Sequence, residues 1–285
     1  MADLTQEEKE RLKRLSAQIR INVLKMLKYC TYGHLGGSLS IVEVLSVLYG
    51  KYMRYDPQRP DWEDRDYLVL SKGHSGPGLY AALSAVGFFD EQTLYTLNQN
   101  GTSLPSHPDR TKTPGIDATT GSLGQGTSVA AGLAYGMRLH NSDRRVYLIV
   151  GDGELNEGQC WEAFQFIAAN RLHNLIVFID ENKRQLDGLT KDVLNPFSII
   201  EKMRAFGFSA VQVPGNDEAA IALAIESAYQ IQDHASCIIL DTIKGQGIPY
   251  FEEMIDNHSV KFNEADYKAL DQALVQLEKI ATGAV

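Results

Sequence analysis

Five short, almost unbroken apolar runs punctuate the chain: "YLVLS" from Tyr67, "VYLIV" from Val146, "LIVFID" from Leu175, "FSAVQV" from Phe208 and "CIILDTI" from Cys237. Between most of them lie stretches with apolar residues at helical spacing: "EGQCWEAFQFIAANRL", "FSIIEKMRAF" and "NDEAAIALAIESAYQI". A strand wetted on one face alternates apolar and polar positions, whereas these runs are apolar throughout. That pattern belongs to parallel strands covered on both faces. Strands alternating with helices therefore predict an α/β protein, a three-layer αβα fold with a mostly parallel central sheet.

The ends of the chain read as helices. Thr5 and Glu8 form a capping box, and Leu12, Leu15, Ile19, Val23 and Met26 continue at helical spacing. Gly33 is expected to mark the end of that helix. Ser40 with Glu43 offers a second capping box, opening "IVEVLSVLYGKYM". The last helix, "NEADYKALDQALVQLEKIA", is amphipathic through Leu270, Leu274, Leu277 and Ile280. No linker, internal repeat or low-complexity tract interrupts the pattern, so residues 1–285 are read as a single domain with an N-terminal helical segment.

Composition narrows the partners. Asp and Glu number 36 against 27 Lys and Arg, a net charge of -9, which argues against nucleic acid or an anionic membrane. An anionic ligand would need local compensation from a metal, a helix N-terminus or histidines. No apolar stretch approaches the roughly 18 residues of a membrane span. The charged start, "MADLTQEEKERLKRLSAQIR", lacks a signal-peptide core. Cys30, Cys160 and Cys237 are scattered, without a C-x-x-C spacing. Reduced, core-packed thiols and a cytoplasmic location are expected.

In a parallel sheet, ligands collect beyond the carboxyl ends of the strands. "VYLIV" delivers "GDGELNEG" to that edge and "LIVFID" delivers "ENKRQLDG" to the same edge. Asp152 and Asn182 supply a carboxylate and an amide oxygen, hard donors suited to Mg²⁺, with Ca²⁺ as a possible substitute. Gly151 and Gly153 allow backbone and ligand to approach closely. The helix starting near Glu157 can direct its first N–H groups at a phosphate. Either polar residue alone could equally cap a helix or turn; the pair after two parallel-type strands favours a cation holding a diphosphate. "GSLGQG" has its glycines in the wrong order for a dinucleotide loop and no strand directly before it. The small residues Ala130, Ala131, Gly132, Ala134 and Gly136 are expected to permit close helix packing.

G-D-G, some thirty residues, then Asn after an apolar strand resembles the thiamin diphosphate (ThDP) motif. "GDGELNEG…DENKRQLDG" is similar specifically to the transketolase family. The resemblance implies that Asp152, Asn182 and the backbone carbonyl of Arg184 bind the metal, and that Glu157 links this loop to a paired active site. "TYGHLGGSLS" resembles the family's early histidine loop and places His34 near the substrate, with Leu35 where G-H-P-G is common. "LSKGHSGPGLYAAL" implies that His74 lies by the diphosphate. "LPSHPD" implies that His107 lies by the substrate, Ser106 replacing a frequent glycine. "TTGSLGQGTSVAAGLAYG" implies that Gly121, Ser122 and Leu123 form the cofactor loop, Gly121 and Leu123 approaching the aminopyrimidine. "TIKGQG…NHSV" implies that His258 reaches the diphosphate and serves the reaction alongside His34 and His107. Gly151 and Gly153 belong to the same cofactor site.

The resemblance runs from about residue 10 to 260, yet a complete transketolase is more than twice as long. Its middle domain supplies the glutamate that protonates the pyrimidine ring. The implied protein is the N-terminal subunit of a split transketolase, moving a two-carbon ketol unit between sugars or sugar phosphates. Its implied partner is a C-terminal subunit carrying the pyrimidine-binding and C-terminal domains, in an α2β2 heterotetramer. Two rival readings are the α subunit of a 2-oxoacid dehydrogenase and a ThDP-binding subunit without catalysis. "HPDRTKTPGIDATTGSLGQG" favours transketolase over the first, and intact motif residues weigh against the second.

Overall fold

The computed structural model describes residues 4–284. All five apolar runs become strands of one sheet, in the spatial order Tyr67–Leu70, Val146–Gly151, Leu175–Glu181, Ser236–Asp241, Ser209–Pro214. Every neighbouring pair is parallel. Four of the strands are buried on both faces because successive side chains point into two separate apolar layers; Ser209–Pro214, at the sheet's edge, departs from that expectation and exposes Val211 and Gln212. Tyr147, Ile149, Ile176, Phe178, Ile238 and Leu240 meet the helices Gln6–Cys30, Val42–Val47, Gly76–Ala85 and Glu218–Tyr229. Leu148, Val150, Val177, Ile179, Cys237 and Ile239 meet Gln125–Leu139, Gly158–Ala169 and Ile199–Ala205. The result is the expected three-layer αβα arrangement. Among the described residues, no helix is long and apolar enough to cross a membrane.

The chain ends pack together: the first helix lies against Glu264–Thr282, whose Leu270 and Leu277 join the first apolar layer. The Thr5–Glu8 capping box forms as expected. The helix it opens stops at Cys30, however, with Thr31 as the left-handed cap at φ 67°. Gly33 instead belongs to a short antiparallel pairing, Tyr32–Gly33 with Val260–Lys261. The Ser40–Glu43 capping box does not form. The helix there begins after Ile41 without a side-chain cap; Ser40 hydrogen-bonds to Asp180, and Glu43 forms a buried ion pair with Arg20. Both side chains are claimed by stronger, charged partners across the fold. The helix is also short, giving way to a π-helical turn at Leu48–Tyr52. Cys160 and Cys237 are buried and Cys30 half-buried, all three free.

The expected packing role of small residues in Gln125–Leu139 divides. Ala130, Ala131 and Ala134 are buried against the second layer, but Gly132 and Gly136 face open space, where an added Cβ would meet nothing within 4 Å. Gly126 is the glycine that permits close approach, since a Cβ there would lie 2.6 Å from the Ser71 Cα. This seats the helix directly over the loop that follows the first sheet strand. Gly126→Ala should therefore destabilise the chain by about 1–3 kcal/mol through overpacking, outweighing the roughly 1 kcal/mol by which alanine favours a helix. Denaturant unfolding reads this directly; an unchanged or raised midpoint would show that the helix sits less tightly on Ser71.

Candidate cofactor and metal site

Register places the polar residues. Gly151 pairs with Asp180 and Asp180 with Leu240, so Asp152, Asn182 and Thr242 emerge together at the carboxyl edge. Asp152 is buried, at 2% exposure, and opens a 3₁₀ turn over Gly153–Asn156. Its Oδ1 accepts from the Gly153 N–H at 2.8 Å, and its Oδ2 from the Lys183 N–H at 2.7 Å. The second bond brings the loop after Leu175–Glu181 onto the loop after Val146–Gly151. Lys183 adopts φ 68° there, a strained turn that leaves Asn182 and Arg184 beside Asp152. The Arg184 N–H reaches the Asn182 Oδ1 at 3.2 Å, and the Arg184 carbonyl accepts from Lys244 Nζ at 3.3 Å.

Two buried carboxylates stand at this edge, and their surroundings differ. Asp180 accepts from Lys72 Nζ at 2.6 Å, from Ser40 at 2.7 Å, from Asn182 Nδ2 at 2.6 Å and from Thr242. Burial alone would raise its pKa, but the Lys72 charge and these bonds hold it below the ordinary carboxylate value. Asp152 has only backbone donors. Burial, with the Asp180 charge added, pushes its pKa up to about 7. Asp152 is thus a desolvated carboxylate without a side-chain cation bonded to it, and a divalent ion would supply what it lacks. Among the described residues, no three His, Cys, Asp or Glu side chains group as metal ligands. A cation would instead use the Asp152 carboxylate, the Asn182 amide oxygen and the Arg184 carbonyl. Those are the hard oxygens Mg²⁺ accepts alongside phosphate oxygens, so the residues fit the ion.

Four histidines gather next to these loops. The His34 ring lies 5.5 Å from His74, 6.1 Å from His107 and 5.3 Å from His258, and His74 lies 4.8 Å from His258. They come from four distant segments that the strand ends bring to one place. Burial, with Lys72 and the neighbouring rings, drives the His74 pKa down to about 2. Burial and the adjacent Lys244, whose Nζ is 2.9 Å from Nδ1, lower His258 to about 3. Burial also lowers His34. These three imidazoles are therefore neutral near pH 7, each with one donor and one acceptor nitrogen.

The glycine loop is held against the histidines. A Cβ on Gly121 would meet the His107 ring at 3.3 Å, and one on Gly73 would meet the Gly121 nitrogen at 2.7 Å. Ser122 is exposed, and the Leu123 carbonyl accepts from Gln159 at 2.7 Å. Glu154 fastens this loop. Buried at 3% exposure, it accepts from the Gly124 N–H at 2.7 Å, the Gly151 N–H at 3.1 Å and the Ser71 hydroxyl at 2.6 Å. Gly153 admits Gln185, 2.9 Å from a Cβ built there, and Gly151 admits the Lys72 stem at 3.4 Å. Gly153 thus makes room for Gln185, whereas a Cβ on Gly151 would meet Lys72 only at ordinary contact distance. Glu157 is exposed and caps nothing with its side chain.

Asp180, Lys72, Glu154, Lys244 and Thr242 are functional-edge residues that sequence reasoning missed. Asp180 carried a signal, a charge ending the apolar run "LIVFID". Lys244 stands in "TIKGQG", but its burial, which lowers its pKa to about 8, is visible only in the fold.

A parallel αβα sheet bearing a buried hard-oxygen set, a fastened glycine loop and clustered neutral imidazoles at one edge defines a diphosphate-cofactor domain. Residues 12–278 match the family "Transketolase, thiamine diphosphate binding domain", and the chain belongs to that family. It is 48% identical over 248 residues to the 6-deoxy-6-sulfo-D-fructose transketolase subunit SqwG of Clostridium sp. (strain MSTE9), covering 87% of this chain and 89% of that one. It is 40% identical to an apulose-4-phosphate transketolase subunit of Actinobacillus succinogenes, covering 77% of this chain and 79% of that one. The transketolase structure from Campylobacter jejuni superposes with a TM-score of 0.85 at 25% identity, over 98% of this chain and 47% of that one. The chain thus spans less than half of that larger transketolase.

The lowered histidine pKa values set a pH dependence. Below about pH 6.5 the unfolded chain binds protons that native His74 and His258 refuse, so their contribution to stability rises with pH across this range. In the cofactor-free chain that contribution is lost as pH falls from about 6.5 toward about 3, opposed by Asp152 and Asp117, whose raised carboxyls the native chain protonates before the unfolded one. His74→Gln should remove its share of the loss, so that in melting curves the variant gains on the wild type as pH falls. A slope unchanged by the substitution would mean His74 titrates normally.

Proposed function

We propose that this chain is the diphosphate-binding, N-terminal subunit of a ThDP-dependent transketolase. It would transfer a two-carbon ketol unit from a ketose or ketose phosphate to an aldose, in the cytoplasm, together with a C-terminal subunit. The observation that carries this reading is the meeting, at one sheet edge, of the cation-poor Asp152 with four histidine rings. Relatives named as transketolase subunits over most of their length support it.

Bound ThDP supplies an electron sink that allows a carbon–carbon bond beside a ketone to be cleaved and remade. This chain's residues hold and orient it. Asp152, Asn182 and the Arg184 carbonyl grip Mg²⁺, or Ca²⁺ in its place, and through it the diphosphate. His74 and His258 offer ring N–H groups to the diphosphate oxygens, and Lys244 adds charge beside them. Gly121, Ser122 and Leu123 form the wall for the ring system. His34 and His107 hydrogen-bond to sugar hydroxyls, and the neutral His34 imidazole, with one donor and one acceptor nitrogen, can pass a proton between such hydroxyls.

The remaining wall belongs to a second chain. Leu186 is 66% exposed and Ile255 89%, both in segments adjoining Arg184, whose guanidinium bonds the Met254 carbonyl at 2.6 Å. Uncovered apolar groups rimming a polar site suit a protein interface. In this reading the chain is a single domain, and the exposed Glu157 links its loop to the paired site. An α2β2 assembly satisfies both requirements.

Purified alone, the chain should show no ketol transfer, and activity should appear when the C-terminal subunit is added. Robust transfer by the isolated chain would overturn the two-subunit reading; 2-oxoacid decarboxylation in place of ketol transfer would move the pair to the dehydrogenase class. In the assembled enzyme, His107→Ala should lower kcat by about 10²–10⁴-fold with little change in ThDP affinity. The opposite pattern would make His107 a cofactor contact.

A further inference from the structure

Asp180 precedes Asn182 by two residues and has no part in the proposed grip on the cation or the cofactor. It is fully buried, at 0% exposure, and ties together four segments. Ser40, Lys72 and the Asn182 amide all donate to its Oδ2, and Thr242 donates to its Oδ1. Lys72, itself 1% exposed, belongs wholly to this network. Its Nζ donates at 2.9 Å to the Gly37 carbonyl, at 3.4 Å to Ser40 and at 2.6 Å to Asp180.

The bond from Asn182 is the informative one. An amide beside a carboxylate that carries a fixed counter-ion can present only its NH₂ group to it, because its oxygen would be repelled. Asn182 Nδ2 lies 2.6 Å from Asp180 Oδ2, and Oδ1 is thereby turned the other way, toward the Arg184 N–H at 3.2 Å. That is the side on which Lys183 and Arg184 fold over Asp152.

We propose that Asp180, anchored by Lys72, is a positioning residue that locks the Asn182 amide with its oxygen presented to the divalent cation. The inference rests on the reading of Asn182 as a cation ligand. Ligand groups held by an outer partner in this way typically lose about 10–100-fold in metal affinity when that partner is removed. The arrangement also explains why an asparagine stands at position 182: an aspartate there would face the Asp180 carboxylate without a proton between them.

The test is Mg²⁺ titration of the chain assembled with its C-terminal subunit in the presence of ThDP, followed by tryptophan fluorescence, with circular dichroism of the chain reporting folding. Asp180→Ala should raise the Mg²⁺ midpoint about 10–100-fold. Should that variant fail to fold, leaving Lys72 buried without its partner, Asn182→Asp decides, because it keeps the Lys72–Asp180 pair intact. Asn182→Asp should bind Mg²⁺ at least about tenfold more weakly than the wild type despite its added negative charge. A folded Asp180→Ala chain with wild-type affinity overturns the inference. So does an Asn182→Asp chain that binds as tightly as wild type. A wild-type assembly without Mg²⁺-dependent ThDP binding would defeat the cofactor reading itself, whereas wild-type binding insensitive to these changes defeats the positioning role alone.

Discussion

Asp152 and Asp180 are buried at the same edge of the sheet, and only Asp180 is bonded to a cationic side chain. Lys72 and three neutral donors satisfy Asp180, while Asp152 has two backbone N–H groups and a repelling neighbour. Removing one partner of a buried ion pair costs about 3–5 kcal/mol, so the Lys72–Asp180 pair is fixed in the fold. Asp152 is left as a desolvated carboxylate with no cation bonded to it, on which burial and the Asp180 charge outweigh the pull of Lys72. The remaining features of the edge follow from that imbalance: the Lys183 turn that brings Asn182 alongside, the carbonyl of Arg184, and the neutral imidazoles beyond.

The loops around Asp152 are fastened by buried side chains. Glu154 joins the glycine loop, the G-D-G turn and Ser71; Asp180 joins the early histidine loop, Lys72, Asn182 and Thr242. Each carboxylate replaces a length of regular structure that a set of converging loops cannot provide. A site preorganised in this way spends little binding free energy on ordering itself when the cofactor arrives. The net acidity of the chain is no obstacle to a diphosphate, because Lys244 stands at the site itself, beside His258 and the Arg184 carbonyl, and the proposed cation would add to its charge.

The sheet was legible because its signal is local: continuous apolar runs with helical patterns between them. The pair Asp152 and Asn182 was legible because both stand directly after such runs, and the histidines because motif spacing marks them one at a time. What escaped the sequence was pairing across the fold. Ser40 and Glu43 looked like a capping box at the right spacing, but Asp180 and Arg20 offer charged partners that a one-dimensional pattern does not display. Gly33 looked like a helix stop, yet Thr31 took the left-handed position two residues earlier. Gly132 and Gly136 looked like packing positions because nothing in the spacing distinguishes the inner side of a helix from its open side. Lys72 and Glu154 were invisible for the same reason: a charge in a loop reads as solvated until the fold buries it.

The central claim, that Asp152 is the carboxylate awaiting a cation, is tested most directly by anomalous diffraction from crystals grown with ThDP and Mn²⁺ in place of Mg²⁺. A single peak touching the Asp152 carboxylate, the Asn182 side-chain oxygen and the Arg184 carbonyl is the predicted result. A peak at Asp180, one elsewhere on the chain, or a bound cofactor with no metal at Asp152 would contradict it.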